Sequence, residues 1–208
     1  MRSTFKEWNL DKIEEAFGLK QVWQSEILDE LINHPYQLDE MERTFVTKLQ
    51  RHFSFGGDDW NEVELENKFI SPMIVLSEIA DEKCSYFLER ELSTTIDEYE
   101  LSGKVDGMIA TGFRSPKKPY FCLNEYKRGT DPDGDPKGQA LIAMLVAQRL
   151  NDNQAPIFGC FVIGRIWQFM ILEGNQYTIS RDFSCVDNEV FDIFRILKGL
   201  RFQIEKYL

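Results

Sequence analysis

Three charged residues, Asp106, Glu125 and Lys127, are of the types needed for metal-dependent hydrolysis of a phosphodiester bond. Eighteen residues separate the aspartate from the glutamate, and one residue separates the glutamate from the lysine. Two carboxylates at one point repel each other unless a cation lies between them, and Mg²⁺ takes such oxygen ligands. A nearby ammonium group can orient the attacking water or stabilise the transition state. Taken alone, the spacing fits an exposed pair of strand charges better, which contributes only about 0.5 kcal/mol.

The sequence around these charges predicts two neighbouring strands that would position them. Asp106 lies in EYELSGKVDGMIAT, residues 98–111, and the other two charges lie in PYFCLNEYK, residues 119–127. Alternate residues of a strand face the same side, so Glu125 and Lys127 point in one direction. If the two strands pair antiparallel, all three charged side chains can converge on one patch.

The pattern after residue 57 predicts an α/β fold with a central mixed sheet flanked by helices. Further strands are expected at 86–96, 155–164, 165–172 and 176–183, with a hairpin turn near Gly164 and Arg165. Helices are expected at 61–80, 137–151 and 188–206. Asn61 should cap the first helix, and Pro72 should kink or restart it with Ser71 as a second cap. A polar loop at 129–138 precedes the second helix.

The N-terminal 56 residues have helical patterns. Thr4 and Glu7 have the spacing of a capping box, and Gly18 is a favourable helix end. Two more helices are expected at 25–32 and 38–53. The loop SFGGDDW then divides the chain into an N-terminal helical subdomain, residues 1–56, and an α/β domain, residues 57–208.

The composition restricts the chemistry and the location of the protein. His34 and His52 are its two histidines, which argues against a histidine-rich metal centre and against Ser-His-Asp catalysis. Four scattered cysteines without a C-x-x-C pair are expected to be buried free thiols. The charged N-terminus lacks the apolar core of a signal peptide, and the longest apolar run, 140–147, is too short to span a bilayer. A cytoplasmic location and no membrane partner are therefore expected.

Charge is distributed unevenly along the chain. The 24 Lys and Arg residues against 35 Asp and Glu residues give a formal net charge of −11. A protein this acidic does not attract nucleic acid by its total charge. Residues 57–100 carry three positive and thirteen negative side chains, whereas residues 101–150 carry eight positive and five negative ones. The segment that contains Asp106, Glu125 and Lys127 is therefore locally basic.

Together, these motifs resemble the PD-(D/E)XK nuclease superfamily, in particular the N-terminal nuclease domain of type I restriction enzyme motor subunits. The resemblance covers about residues 61–170. NEVELENKFISPMI is similar to the first core helix of the family, VDG to the strand with the metal-binding aspartate, and NEYK to the E-x-K strand. FVIGRIWQFMIL is similar to a glycine-then-tryptophan hairpin of these domains, and Val105 stands where many members have proline.

The resemblance implies a restriction-endonuclease-like core and a metal-dependent endonuclease activity. It implies that Mg²⁺ or Mn²⁺ is the cofactor, held by Asp106 and Glu125, and that Lys127 acts on the water or on the scissile phosphate. The residues that it implies for catalysis are Asp106, Glu125, Lys127, Glu62 and Gln139, with Glu66 one helical turn later as the alternative to Glu62.

The resemblance also implies a nucleic-acid substrate, with DNA expected, and a restriction or defence context. The side chains expected to contact phosphates are Lys117, Lys118, Arg128 and Lys137. A protein partner would supply targeting, because the sequence has no recognisable motor or specificity domain. The alternative hypothesis is a catalytically inactive interaction module that keeps the nuclease fold and docks a protein partner through its helical N-terminal part. The acidic total favours this alternative.

Overall fold

A computed structural model describes residues 1–129, 134–151 and 155–208, and it confirms an α/β fold with helices around a mixed sheet. The strands are β1 Arg2–Thr4, β2 Lys20–Gln21, β3 Cys84–Ile96, β4 Tyr99–Thr111, β5 Lys117–Lys127, β6 Ile157–Ile163, β7 Ile166–Glu173, β8 Gln176–Ile179 and β9 Phe183–Ser184. The helices are α1 Leu10–Phe17, α2 Glu26–Ile32, α3 Glu40–Gly56, α4 Glu62–Leu65, α5 Ser71–Leu76, α6 Pro136–Leu150 and α7 Glu189–Glu205. Of the predicted polar loop, residues 130–133 lie outside the described residues.

The strands of the described residues form one nine-stranded sheet in the order β1-β4-β5-β6-β7-β8-β2, with β3 paired to β4 and β9 paired to β7. β4 and β5 are antiparallel, as the sequence predicts. β5 and β6 run parallel, since α6 carries the chain back to the starting end of the sheet. β6 and β7 form the predicted antiparallel hairpin, which turns at Gly164 and Arg165.

Hydrophobic cores cover both faces of the sheet. Phe158, Cys160 and Val162 of β6 pack into the core that also contains residues of α2, α3, α5 and α7. Ile157 and Phe161, which alternate with them, pack into the core formed with α1 and α6. A strand buried on both faces has an almost continuous apolar sequence, which explains the run IFGCFVI.

The N-terminal region contains two short strands as well as the predicted helices. β1 pairs in parallel with β4, and β2 pairs in parallel with β8. The Thr4 and Glu7 capping box is present, but it closes a single 3₁₀ turn, Phe5–Glu7, instead of beginning a long helix. α1 begins after its own cap, Asn9, and ends as expected at Gly18, which has φ 66°. Tertiary pairing with the sheet therefore divides the predicted first helix.

The helix that begins after Asn61 differs from the prediction at Ser71. Asn61 caps it with a capping box, as expected. A π-helical turn, Glu66–Ile70, then connects α4 to α5 without a break. Ser71 has helical dihedral angles of −59° and −43°, so the prediction that it caps a second helix was wrong. The wider turn accommodates a proline that has no N–H to donate to the preceding turn.

The cysteines are buried free thiols, as the sequence predicts. Burial raises the pKa of Cys84 to about 11 and that of Cys160 to about 12, so both remain protonated near neutral pH. In the described part of the chain, no helix is long and apolar enough to cross a membrane.

Gly138 of α6 allows the N-terminal segment to pack closely against that helix. A Cβ at this position would lie 2.5 Å from Cα of Asn9 and 2.5 Å from the carbonyl oxygen of Trp8. We expect Gly138→Ala to lower the free energy of unfolding by about 2 kcal/mol, because backbone must move to admit the methyl group. Urea denaturation measures this loss. Gly56→Ala is the control, since its Cβ would meet only Trp60 Nε1 at 3.6 Å; equal losses in both variants would contradict the close-packing explanation.

A candidate active site in an acidic cleft

The five predicted catalytic residues line one cleft of about 770 Å³. Asp106 lies in the middle of β4, whereas Glu125 and Lys127 lie at the end of β5. Glu62 is the first residue of α4, and Gln139 is in the first turns of α6. Four separate elements therefore bring these side chains together, as the sequence reasoning expected.

The register of β4 and β5 explains why the two carboxylates are neighbours. Gly107 pairs with Asn124, so the next antiparallel position along the ladder places Asp106 beside Glu125 on the same face of the sheet. The backbone N–H of Tyr126 donates a hydrogen bond to Oδ2 of Asp106 at 2.6 Å. This bond fixes the direction of the aspartate and ties it to the strand that carries the glutamate.

Lys127 lies between two carboxylates at the bottom of the cleft. Its Nζ is 2.7 Å from Oε1 of Glu125 and 3.6 Å from Oε1 of Glu62. Nζ also donates a hydrogen bond to the carbonyl oxygen of Tyr126 at 3.3 Å. Glu125 is 6% exposed and Lys127 is 5% exposed, so the alternative of an exposed pair of strand charges was wrong. Charges this deeply buried require partners, and here they partner each other.

Carboxylates outnumber the ammonium groups that line the cleft, and burial together with carboxylate neighbours shifts their protonation. Burial and the adjacent Asp106 carboxylate raise the pKa of Glu125 to about 7, although Lys127 opposes the shift. Burial also raises the pKa of Asp106, and the Glu62 and Glu89 carboxylates add to this effect. Burial alone would lower the pKa of Lys127, but its carboxylate neighbours, Glu125 first, raise it. A further cation would relieve this repulsion.

Two additional glutamates lie close to Asp106. Burial raises the pKa of Glu66, and the charges of Asp106 and Glu89 raise it further. Glu66 and Glu62 thus both lie close enough to Asp106 to affect its electrostatics, but Glu62 is the one that contacts Lys127. Sequence reasoning missed Glu89, which lies across the β3–β4 ladder from Asp106 and forms an ion pair with Lys104. Its left-handed backbone, φ 55°, is uncommon for a glutamate and has no signature in the sequence.

Charged side chains of both signs line the cleft, and acidic ones predominate. Among the described residues of its lining, the carboxylates are Glu62, Glu89, Glu91, Glu100, Asp106 and Glu125, and the ammonium groups are Lys6, Lys104 and Lys127. Lys6 enters the lining because β1 holds the N-terminal segment beside β4. A bare polyanion would therefore meet a repulsive surface at this cleft.

None of the four predicted phosphate contacts is among the described residues that line the cleft. Lys117 and Lys118 are at the opposite end of β5 from Lys127, a separation of about 30 Å at the usual rise of a strand. Arg128 is exposed and follows Lys127 directly. Lys137 is in the first turn of α6, and its Nζ lies 5.6 Å from the centre of the Phe161 ring. Arg128 and Lys137 are thus close in sequence to residues of the cleft, whereas Lys117 and Lys118 are distant.

The cleft offers carboxylate oxygens that could hold a divalent cation. Within the described ranges 1–129, 134–151 and 155–208, no group of three or more His, Cys, Asp or Glu side chains is arranged to hold a metal ion. Mg²⁺, however, commonly uses only one or two carboxylates and keeps several waters. Asp106 and Glu125, neighbours across the β4–β5 ladder, supply two carboxylates as oxygen ligands, and burial raises the pKa of both. The side chains present therefore fit a hard divalent cation.

The raised pKa of Glu125 predicts a pH dependence of stability in the metal-free protein. Its pKa is near 4.5 in the unfolded chain and about 7 in the fold, so the folded state binds the extra proton between these values. Stability should therefore fall as pH rises from 5 to 8, by about 2 kcal/mol from this group. Glu125→Gln removes the proton-binding site and should flatten the profile. Urea denaturation in EDTA across this range, with Glu91→Gln as the control, measures it; parallel profiles for wild type and Glu125→Gln would refute the assignment.

No protein-family model matches this chain. A search of curated protein sequences also gives no match. Interpretation of the cleft therefore depends on the geometry and charge of its own residues.

Proposed function

We propose that the protein is a metal-dependent nuclease with a restriction-endonuclease-like core, which hydrolyses phosphodiester bonds in nucleic acid, DNA foremost. The observation that carries this proposal is the convergence of Asp106, Glu125 and Lys127 at the bottom of one accessible cleft. Such a set combines two oxygen ligands for a hard cation with an ammonium group beside them. A restriction or defence role, with a protein partner for targeting, is the context that we propose.

The residues proposed to hold Mg²⁺ or Mn²⁺ are Asp106 and Glu125. A cation bound there would lower the pKa of water and offset negative charge on a phosphoryl oxygen. The Tyr126 N–H keeps the Asp106 carboxylate in place, which preorganises this half of the site. Lys127 holds Glu125 from the other side through the 2.7 Å ion pair.

Lys127 is the proposed catalytic cation of the chain itself. Its ammonium group, oriented by Glu62 and Glu125, is placed to donate hydrogen bonds to the attacking water or to a scissile-phosphate oxygen. The side chain of Gln139 is buried at the edge of the same cleft and supports it from α6. Because Lys127 is itself buried, water has limited access to it and its electrostatic effect is strong.

The acidic lining makes substrate binding depend on the metal. Lys6 and Lys104 are the ammonium groups of the described lining other than Lys127, and Lys104 is already paired with Glu89. A divalent cation would compensate the Asp106 and Glu125 charges and so reduce the repulsion of phosphate. We therefore expect nucleic acid to enter this cleft more weakly in EDTA than with Mg²⁺.

An endonuclease assay tests the proposed function. Purified protein is incubated with labelled single-stranded DNA, double-stranded DNA and RNA, each with Mg²⁺, with Mn²⁺ and with EDTA. We expect metal-dependent cleavage of at least one substrate and none in EDTA. Failure to cleave any of these substrates, together with calorimetry that detects no Mn²⁺ binding, would contradict the proposal.

Exposed apolar side chains favour the second candidate function, a catalytically inactive interaction module. Met41 and Phe45 of α3 and Val75 of α5 line one cleft, and their exposed fractions are 74%, 37% and 68%. A shared apolar surface of this kind is typical of protein docking. The test is a host whose survival depends on the protein. The interaction module requires that Met41→Glu abolish survival of this host and that Asp106→Asn preserve it. The nuclease proposal requires that Asp106→Asn abolish function.

A further inference from the structure

The turn between β4 and β5 is basic. We name it the hairpin tip and define it as residues 112–118, which include the first two residues of β5. The sequence has no Asp or Glu between Asp106 and Glu125, although the whole chain has a formal charge of −11. The tip carries three basic residues, Arg114, Lys117 and Lys118, and all three are exposed. This turn is thus locally basic in an otherwise acidic molecule.

Phe113 is the large apolar side chain of the hairpin tip, and it is exposed. Its exposed fraction is 72%, which is unusual for a phenylalanine. Arg114 follows it directly, so an aromatic ring and a guanidinium group project from the same turn. Packing within the described residues does not explain why an aromatic residue occupies this exposed position. The face of its ring is available to a ligand.

Local contacts hold the tip in a defined conformation. Gly112 has φ 94°, and a Cβ there would lie 2.4 Å from the carbonyl oxygen of Ser115, so the turn requires glycine. The one hydroxyl hydrogen of Thr111 is shared between the carbonyl oxygens of Lys117 and Lys118, which lie 3.0 and 2.7 Å from Oγ1. Because the backbone of the turn is already ordered, binding of a ligand to Phe113 would cost little backbone conformational entropy.

We propose that the hairpin tip binds single-stranded nucleic acid. Phe113 stacks on an unpaired base, and Arg114 and Lys117 contact the flanking phosphates. An unpaired base fits because a lone exposed ring can stack only on a base whose face is free. The tip has one large apolar side chain, whereas binding in a lipid interface draws on a broad apolar face.

The tip is separate from the cleft but can serve it. About 30 Å of β5 separates Lys117 from Lys127, so one nucleic-acid chain could occupy the tip while its scissile bond lies elsewhere. The inference rests on the proposed function for the class of ligand. It adds a binding site that the acidic cleft lacks, since the tip attracts phosphate without a metal ion.

Fluorescence anisotropy in EDTA measures binding at the tip without cleavage. The probe is a labelled strand of about 16 nucleotides, as DNA and as RNA, with the matching duplex for comparison. We expect Phe113→Ala to weaken single-strand binding about tenfold and Phe113→Trp to restore it. Phe55→Ala is the matched control, because Phe55 is 79% exposed on another surface and should have no effect. The double variant Arg114→Ala, Lys117→Ala should make the slope of log association constant against log salt concentration less steep by about 1.4, since two phosphate contacts are lost.

Wild-type affinity in Phe113→Ala, or equal loss in Phe55→Ala, would overturn the proposal. Binding to vesicles that contain phosphatidylserine, without binding to either strand, would overturn it in favour of a lipid surface. The two proposals fail separately. Cleavage that requires Asp106, together with unaltered binding by Phe113→Ala, leaves the nuclease and removes the tip site. Loss of binding by Phe113→Ala, in a protein that neither cleaves any substrate nor binds Mn²⁺, leaves the tip site and removes the nuclease.

Discussion

Asp106→Asn is expected to reduce metal-dependent cleavage by more than about 100-fold. Substitutions that only disturb the orientation of a metal ligand already cost about 10- to 100-fold, and this one replaces the carboxylate itself. The fold should survive, because asparagine keeps an oxygen that can accept the Tyr126 N–H bond. It should even gain stability near neutral pH, since one of several repelling carboxylates is lost. Initial cleavage rates at saturating Mn²⁺ and urea denaturation measure the two effects.

Glu91→Gln is the matched control for this experiment. Glu91 lines the same cleft and its replacement removes the same charge, but it is an exposed residue of β3. We expect its cleavage rate to remain within a few-fold of wild type. If both variants lost activity equally, the effect would reflect the total charge of the cleft, and the specific role of Asp106 would be contradicted.

Lys127→Met should abolish cleavage and also destabilise the protein. Removal of the ammonium group leaves Glu125 buried without its 2.7 Å partner, and breaking a buried pair from one side costs about 3 kcal/mol. The loss of stability should be greater at pH 8 than at pH 5, because a protonated Glu125 tolerates burial. Cleavage rates and urea denaturation at the two pH values provide the measurements.

The double variant Glu125→Gln, Lys127→Met separates chemistry from folding. Replacement of both partners by neutral groups of similar shape removes the unpaired charge, so the free energy of unfolding should recover most of its wild-type value. Cleavage should remain absent. Recovery of cleavage, or a Lys127→Met enzyme that cleaves at the wild-type rate, would show that Lys127 has no catalytic role.

Strands with strong patterns were predictable from the sequence, and short strands were not. The β6–β7 hairpin follows from two apolar runs around Gly164, and the pairing of β4 with β5 follows from neighbouring strand patterns. β1 and β2 have three and two residues, so no periodicity can reveal them. They form because longer strands provide backbone partners. The π turn before Pro72 likewise depends on the surrounding packing.

The convergence of the candidate site was predictable, but its burial and its additional residues were not. Alternation along β5 places Glu125 and Lys127 on one side, and antiparallel register brings Asp106 to them. The same alternation cannot say whether that side is solvated, and the structure shows both β5 charges buried. Glu89 and Lys6 reach the cleft through a left-handed backbone and through the parallel β1–β4 pairing, which are tertiary features.

Excess negative charge at the bottom of the cleft would link stability to the proposed metal binding. Residues that stabilise a fold are not usually packed as repelling carboxylates, and here Glu125 is buried, Asp106 is half-buried, and burial raises the pKa of both. A cation bound between the two carboxylates would offset this repulsion. It would also explain why an acidic protein could still engage phosphate at this position, since the bound cation would reverse the local sign of the field.

Anomalous diffraction at the manganese edge would locate any metal ion held by Asp106 and Glu125. Crystals would be grown with Mn²⁺ and with an oligonucleotide whose scissile linkage resists hydrolysis, so that a site completed by substrate is also detected. We predict a manganese peak between the carboxylates of Asp106 and Glu125, with Lys127 beside it. A groove filled by nucleic acid with no manganese at these two side chains would contradict the account.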